Sequence, residues 1–199
     1  MPPLHPRCRC TIIYDEVAAP RSKPNKPNDL PRGLAAGNAI YVNEGGRSPY
    51  IIGAIDVRDA NQVKQVLDWA EARIVKAPIE NAIIITKTGD IYHCTGDLNT
   101  LNPIVELGDE LRGAIVTHNH PKGSDNEYSF SNADENLFIN FELARLRGID
   151  ERFVYEFNRN SEDIDAVVLL SEANEFNSRH SLVVELARKL GIGYRRWAR

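Results

Sequence analysis

Apolar positions recur along this chain with two different spacings, and the change between them marks its elements. From Asn61 to Val75, the residues Val63, Val66, Leu67, Ala70 and Ile74 return every three or four positions, with Asp59 or Asn61 placed to cap. That spacing predicts an amphipathic helix lying on a sheet. Pro78 ends it. The segment from Ile79 to Thr86, with its unbroken apolar run from Ala82 to Ile85, predicts a buried strand, and a turn at Thr88-Gly89-Asp90 leads into a second strand over Ile91 to Cys94, giving a hairpin. Ala114, Ile115 and Val116 predict a further buried strand that runs into His118-Asn119-His120 before Pro121 stops it.

Later in the chain, Leu137, Phe138, Phe141, Ala144 and Leu146 predict a helix that opens at Ser131-Asn132-Ala133-Asp134 and ends at Gly148. Arg152 to Phe157 reads as a strand and Ala166 to Leu170 as a further strand or helix start. Glu172 to Leu190 reads as a long helix closed by Gly191 and Gly193. Residues 39 to 57 hold material for one or two short strands, in AIYV and YIIGAIDV, with nothing to decide how they pair. The alternation places the chain in the α/β (α+β) class. Ahead of it, Pro20, Pro24, Pro27 and Pro31 lie amid lysine and asparagine, so residues 1–38 read as an extended tail and linker.

Composition narrows the function classes. The chain has 199 residues, 42% hydrophobic and 26% charged, which is ordinary for a globular protein with one substantial core. No apolar run approaches the roughly 20 residues that span a bilayer, and MPPLHPRCRC lacks the apolar centre of a signal peptide, so cytoplasmic synthesis is the expectation. A net charge of -4 offers nucleic acid no general attraction. Arg188, Lys189, Arg195, Arg196 and Arg199 are read as the solvated, basic end of a helix. The odd number of cysteines, Cys8, Cys10 and Cys94, points to reduced thiols. His5, Cys8 and Cys10 are too closely spaced to make a complete zinc finger.

The candidate chemistry lies between Gly113 and Phe138. On an extended chain successive side chains alternate, so His118 and His120 share a face and Asn119 points away. Two imidazoles from a strand end and the Asp134 carboxylate from a helix start supply three metal ligands and leave a fourth position open, the catalytic pattern for zinc. Ser131-x-x-Asp134 also matches a capping box, and the two roles are compatible, since Ser131 can cap while Asp134 turns toward a cation. His180 is read as a surface residue, and Glu71 and Glu106 as poorer candidates for a catalytic acid than Glu80, which stands at the opening of a strand. No Gly-x-Ser-x-Gly elbow or phosphate-cradling loop is present, and His93 and Cys94, adjacent on a strand, face opposite ways.

The string His118-Asn119-His120-Pro121-Lys122-Gly123, followed by Ser131-Asn132-Ala133-Asp134, resembles the signature of the JAB/MPN (JAMM) metalloproteases, in particular their bacterial RadC-like and toxin-associated branch. The resemblance covers about residues 74 to 157 and implies a cytidine-deaminase-like central mixed β-sheet flanked by helices, here over residues 39–199. It implies Zn2+ held by His118, His120 and Asp134, with Glu80 as general base toward a zinc-held water and Ser131 stabilising the oxyanion. The implied reaction is hydrolysis of a peptide or isopeptide bond, the substrate being a peptide or a ubiquitin-like protein conjugate. One departure stands out: thirteen residues separate His120 from Asp134, where the family has ten, so Ser124 to Ser129 are expected to bulge as an enlarged loop.

A second string, His5-Pro6-Arg7-Cys8-Arg9-Cys10-Thr11, is similar to the conserved ending of phage Mu F-like minor head morphogenesis proteins. It implies a phage or prophage origin, a phage head protein as partner, and a virion-associated or particle-delivered location, the chain being the C-terminal piece of a head protein or of a prophage toxin. Two other functions remain open at this level. One is a noncatalytic assembly or binding module that keeps the fold. The other is a metal-dependent nuclease, prompted only by the literal His-Asn-His.

Overall fold

The computed structural model describes residues 33–34, 40–124, 129–161 and 175–199. The described residues form a seven-stranded mixed sheet between two helical layers, which places them in the α+β class. The sheet order is β1 (Tyr50–Ala54), β3 (Asp90–Thr95), β2 (Asn81–Ile85), β4 (Ile115–Asn119), β5 (Arg145–Ile149), β6 (Phe153–Asn158) and β7 (Gly193–Ala198). Only β4 and β5 run parallel; every other neighbouring pair is antiparallel. Helix α1 (Ala60–Ile74) joins β1 to β2, α2 (Asn132–Asn140) joins β4 to β5, and α3 (Glu175–Leu190) precedes β7.

The strand β2 is buried at all five positions, which explains its uninterrupted apolar run: each face meets a different layer. Ile83 and Ile85 join Val63, Val66, Leu67 and Ala70 of α1, whereas Ala82 and Ile84 join the larger core under α2 and α3 with Phe138, Val183, Val184 and Tyr194. Asp59 caps α1 by accepting the backbone N–H groups of Asn61 and Gln62, and the helix begins one residue before the expected start. The β2–β3 hairpin closes as expected, with the Thr86 N–H donating to Asp90 O at 2.9 Å. β1 joins the free side of β3, while Ile40 and Val42 are not in a strand and pack on the core as partly buried residues.

Three expectations are corrected. The helix opened at Ser131 ends at Asn140 and does not reach Gly148. Glu142 adopts φ 50, and the segment from Arg145 to Ile149 then pairs with β4, Leu146 facing the core while Arg145 and Arg147 face the other side. The spacing of Leu137, Phe138, Phe141, Ala144 and Leu146 spans both a helix and a strand, and the parallel pairing with β4 overrides its helical reading. Second, Arg195 and Arg196 lie on β7 rather than on a solvated helix end. Arg195 donates to Glu156 at 3.2 Å and the Arg196 guanidinium lies over the Phe153 ring. Third, His180 is buried, with Nδ1 3.1 Å from the Tyr194 hydroxyl.

His5, Cys8 and Cys10, the proline-bearing linker, residues 125–128 of the enlarged loop and the Ala166–Leu170 segment lie outside the described residues. Among the described residues, no helix is long and apolar enough to cross a membrane.

Candidate metal centre

The histidines leave β4 on the side of α2. Val116 packs into the core beneath α2 and α3, and the period of two carries that orientation to His118 and His120. The backbone N–H of His120 extends the parallel ladder by donating to Ile149 O at 2.8 Å, so the second histidine is held as firmly as the first. Asp134 arrives from the first turn of α2. The Ser131 hydroxyl accepts the Asp134 N–H at 3.1 Å, and both the Ser131 N–H and its hydroxyl donate to Asp134 Oδ2 at 2.7 Å. The capping box is therefore present and also aims the carboxylate.

His118 Nε2 lies 2.9 Å from Asp134 Oδ1, His120 Nε2 lies 3.3 Å from Oδ2, and the two Nε2 atoms are 2.9 Å apart. All three side chains are buried, and their ligand atoms lie within 4.8 Å of one another. Burial alone would raise the Asp134 carboxyl, but the two imidazoles hold it well below the usual carboxylate range. Two imidazole nitrogens and one carboxylate oxygen converging in a buried pocket form a group that could bind a metal ion.

Glu80 immediately precedes β2, with its backbone fixed on both sides: its N–H donates to Asp97 O at 2.7 Å and its C=O accepts the Gly96 N–H at 2.8 Å. The residue is 5% exposed, and burial pushes the carboxyl up to about 8, opposed by His120 and reinforced by Asp134 and Asp97. Glu80, Ser131 and Asp134 share the wall of a cleft of about 370 Å³ that runs between α2 and the segment from Asn99 to Val105. The cleft carries apolar side chains at Leu101, Ile104, Leu137 and Phe141, and its ionisable lining groups are Glu80 and Asp134.

Other residues around the site take roles that the sequence did not assign to them. Asn119, between the histidines, does face away as expected, and there it accepts the Asn81 N–H at 2.8 Å and donates to Ile79 O at 3.0 Å. Asn81 Oδ1 in turn lies 3.0 Å from His93 Nε2, whose Nδ1 meets the Tyr50 hydroxyl at 2.7 Å. Burial holds His93 down to about 4, so it is a neutral brace. Cys94 is buried in the opposite core and burial pushes its thiol up to about 12, which removes His93-Cys94 as a nucleophilic pair. Glu71 is buried against Arg147 and Thr117, on the sheet face away from the histidines. Tyr155 and Phe130 complete the pocket: the Tyr155 hydroxyl is 2.6 Å from His120 Nδ1, and the Phe130 ring stacks on His118 with centroids 6.4 Å apart.

Comparison of the chain with protein-family models, curated proteins and solved structures finds no match. The placement of the sequence-derived residues is then the ground for a functional reading: His118, His120 and Asp134 converge, and Glu80 and Ser131 stand on the cleft wall beside them.

Proposed function

We propose that the chain is a zinc-dependent hydrolase of peptide or isopeptide bonds, built as a JAB/MPN-type domain. The observation that carries this reading is the convergence of His118, His120 and Asp134, the last of which also lines a cleft whose wall holds a buried carboxyl, Glu80, with a raised proton affinity. Zinc in that donor set would polarise the scissile carbonyl and lower the pKa of water from near 16 toward about 7. Glu80 takes the proton of the attacking water and returns it to the departing amine, because a buried carboxyl with affinity near neutrality can serve first as base and then as acid. Ser131 lines the cleft, and its hydroxyl, which donates to Asp134 Oδ2 at 2.7 Å, would turn that hydrogen to the oxyanion, a donor whose loss typically costs about 10²–10³ in rate.

The cleft supports a peptide over a nucleic acid. Its lining offers apolar surface and amides, and its ionisable groups are both acids, so a phosphate backbone would meet like charge and no counterion. The substrate is a peptide or a ubiquitin-like conjugate, and the similarity of residues 5–11 to phage head proteins makes a phage-head polypeptide the first one to try, in a cytoplasmic or particle-associated setting.

The deciding experiment is elemental analysis of wild type, His120→Ala and Glu80→Gln, followed by digestion of peptide conjugates. About one zinc per chain, absent from His120→Ala and kept in Glu80→Gln, with turnover only in the wild type, is the expected pattern. Zinc without turnover in the wild type would turn the reading to a noncatalytic module, and nicking of plasmid DNA would turn it to a nuclease.

A further inference from the structure

Beyond the ligands themselves, we infer that Tyr155 is a positioning residue that lets His120 exchange tautomers between the empty and the zinc-loaded centre, and that Gly148 is there to let it reach. The proposal rests on the metal reading above. Its geometry is specific. Tyr155 projects from β6 and must cross β5 to meet His120 at the end of β4. It does so over Gly148, which pairs with Tyr155 on one side and with His118 on the other. A Cβ at Gly148 would lie 2.0 Å from Tyr155 Cε2 and 2.7 Å from Cδ2, far inside any tolerated contact. Tyr155 is fully buried, its ring set edge-on against Phe130 with centroids 4.9 Å apart, and its hydroxyl stands 2.6 Å from His120 Nδ1.

The hydroxyl matters because it can both donate and accept. His120 Nε2 lies 3.3 Å from Asp134 Oδ2 and 2.9 Å from His118 Nε2; in the metal-free protein a hydrogen on Nε2 directed at the acceptor-only carboxylate leaves Nδ1 to accept from the Tyr155 O–H. With zinc on Nε2, a neutral ring carries its hydrogen on Nδ1 and donates to the Tyr155 oxygen, the hydroxyl hydrogen rotating away. The hydrogen on the ring moves from Nε2 to Nδ1 with no net gain or loss. A backbone carbonyl or carboxylate in that place would accept only, and would favour the second tautomer alone.

The test uses full-length protein with 15N-labelled histidine. Long-range nitrogen–proton correlation at a pH where the ring is neutral reports the His120 tautomer, and chelator competition reports zinc affinity, for wild type, Tyr155→Phe, Gly148→Ala and the double variant. Expected are an Nε2–H ring without zinc and an Nδ1–H ring with it in the wild type, and zinc binding weakened about 10–100-fold in Tyr155→Phe. Tyr155→Phe keeps the ring against Phe130, so folding is preserved if Gly148→Ala fails to fold. Where Gly148→Ala does fold, its loss should largely vanish on the Tyr155→Phe background, because both act through one hydroxyl. An unchanged His120 tautomer on zinc loading, or Tyr155→Phe binding zinc as tightly as wild type, overturns the role of Tyr155. A wild type that binds no zinc overturns the metal reading beneath it.

Discussion

Asn119 holds Asn81, accepting its backbone N–H at 2.8 Å, and with its other amide atom grips Ile79 O at 3.0 Å. Glu80 is the residue between those two, so the side chain that separates the converging histidines also fixes the backbone that carries the proposed base. Asn119→Ala should leave the buried Asn81 N–H without its acceptor and cost about 1–3 kcal/mol in denaturant unfolding. Zinc content should stay at the wild-type level, while kcat falls more than KM changes, because the ligands remain and the base loses its register. Unchanged kcat with full metal would show that the Glu80 backbone needs no such tether.

Glu80 makes a second prediction, for the metal-free protein. Its folded-state affinity, raised to about 8 mainly by burial, lies above the unfolded value of 4.5. A raised carboxyl favours the folded state only while it is protonated, so its contribution is full below pH 4.5 and declines as pH rises toward 8. Glu80→Gln should therefore leave stability nearly unchanged near pH 4.5 and raise it at pH 8, by on the order of 4 kcal/mol. Thermal unfolding of the two proteins across that window is the measurement, and parallel curves would contradict the buried-acid assignment.

Ser131 performs two separable tasks. As the N-cap of α2 it should cost about 1 kcal/mol of stability on replacement by alanine. As the oxyanion donor of the proposed reaction its loss should lower kcat by about 10²–10³. Ser131→Gly keeps a favourable N-cap residue without that hydroxyl, and a near-wild-type Tm with full zinc content but without recovery of kcat would separate the tasks. Recovery of both would reduce Ser131 to a cap.

Cys94 should be inert. A thiol with no exposed surface, held near 12, is neither accessible nor ionised at neutral pH. Brief treatment of native protein with an alkylating reagent, followed by peptide mass analysis, should leave Cys94 unmodified until denaturant is added. Rapid native labelling of Cys94, with loss of turnover, would reopen a cysteine mechanism.

Much of this architecture was legible in local pattern. The periodicity of Val63, Val66, Leu67, Ala70 and Ile74 identified α1, because a helix buries one stripe whatever lies beneath it. The alternation of an extended chain placed His118 and His120 on one side and Asn119 on the other, and the Ser131–Asp134 spacing located the start of α2. These features depend on residues a few positions apart, and such neighbours see each other before any tertiary contact forms.

What the sequence determined by itself was therefore the α/β alternation, the ligand candidates and their facing. Tertiary structure decided where α2 ends, since the strand identity of Arg145–Ile149 comes from pairing with β4 and not from its own spacing. It decided that the C-terminal arginines belong to an edge strand, because β7 exists only through its ladder with β6. It decided, too, that Glu80 reaches the cleft with Asp134, and that Tyr155, from a strand otherwise legible as plain core, reaches His120 across a glycine 28 residues away from that histidine. Those relations join segments far apart in the chain. Their physical cause is the stacking of β4, β5 and β6 in one sheet, which no local period encodes.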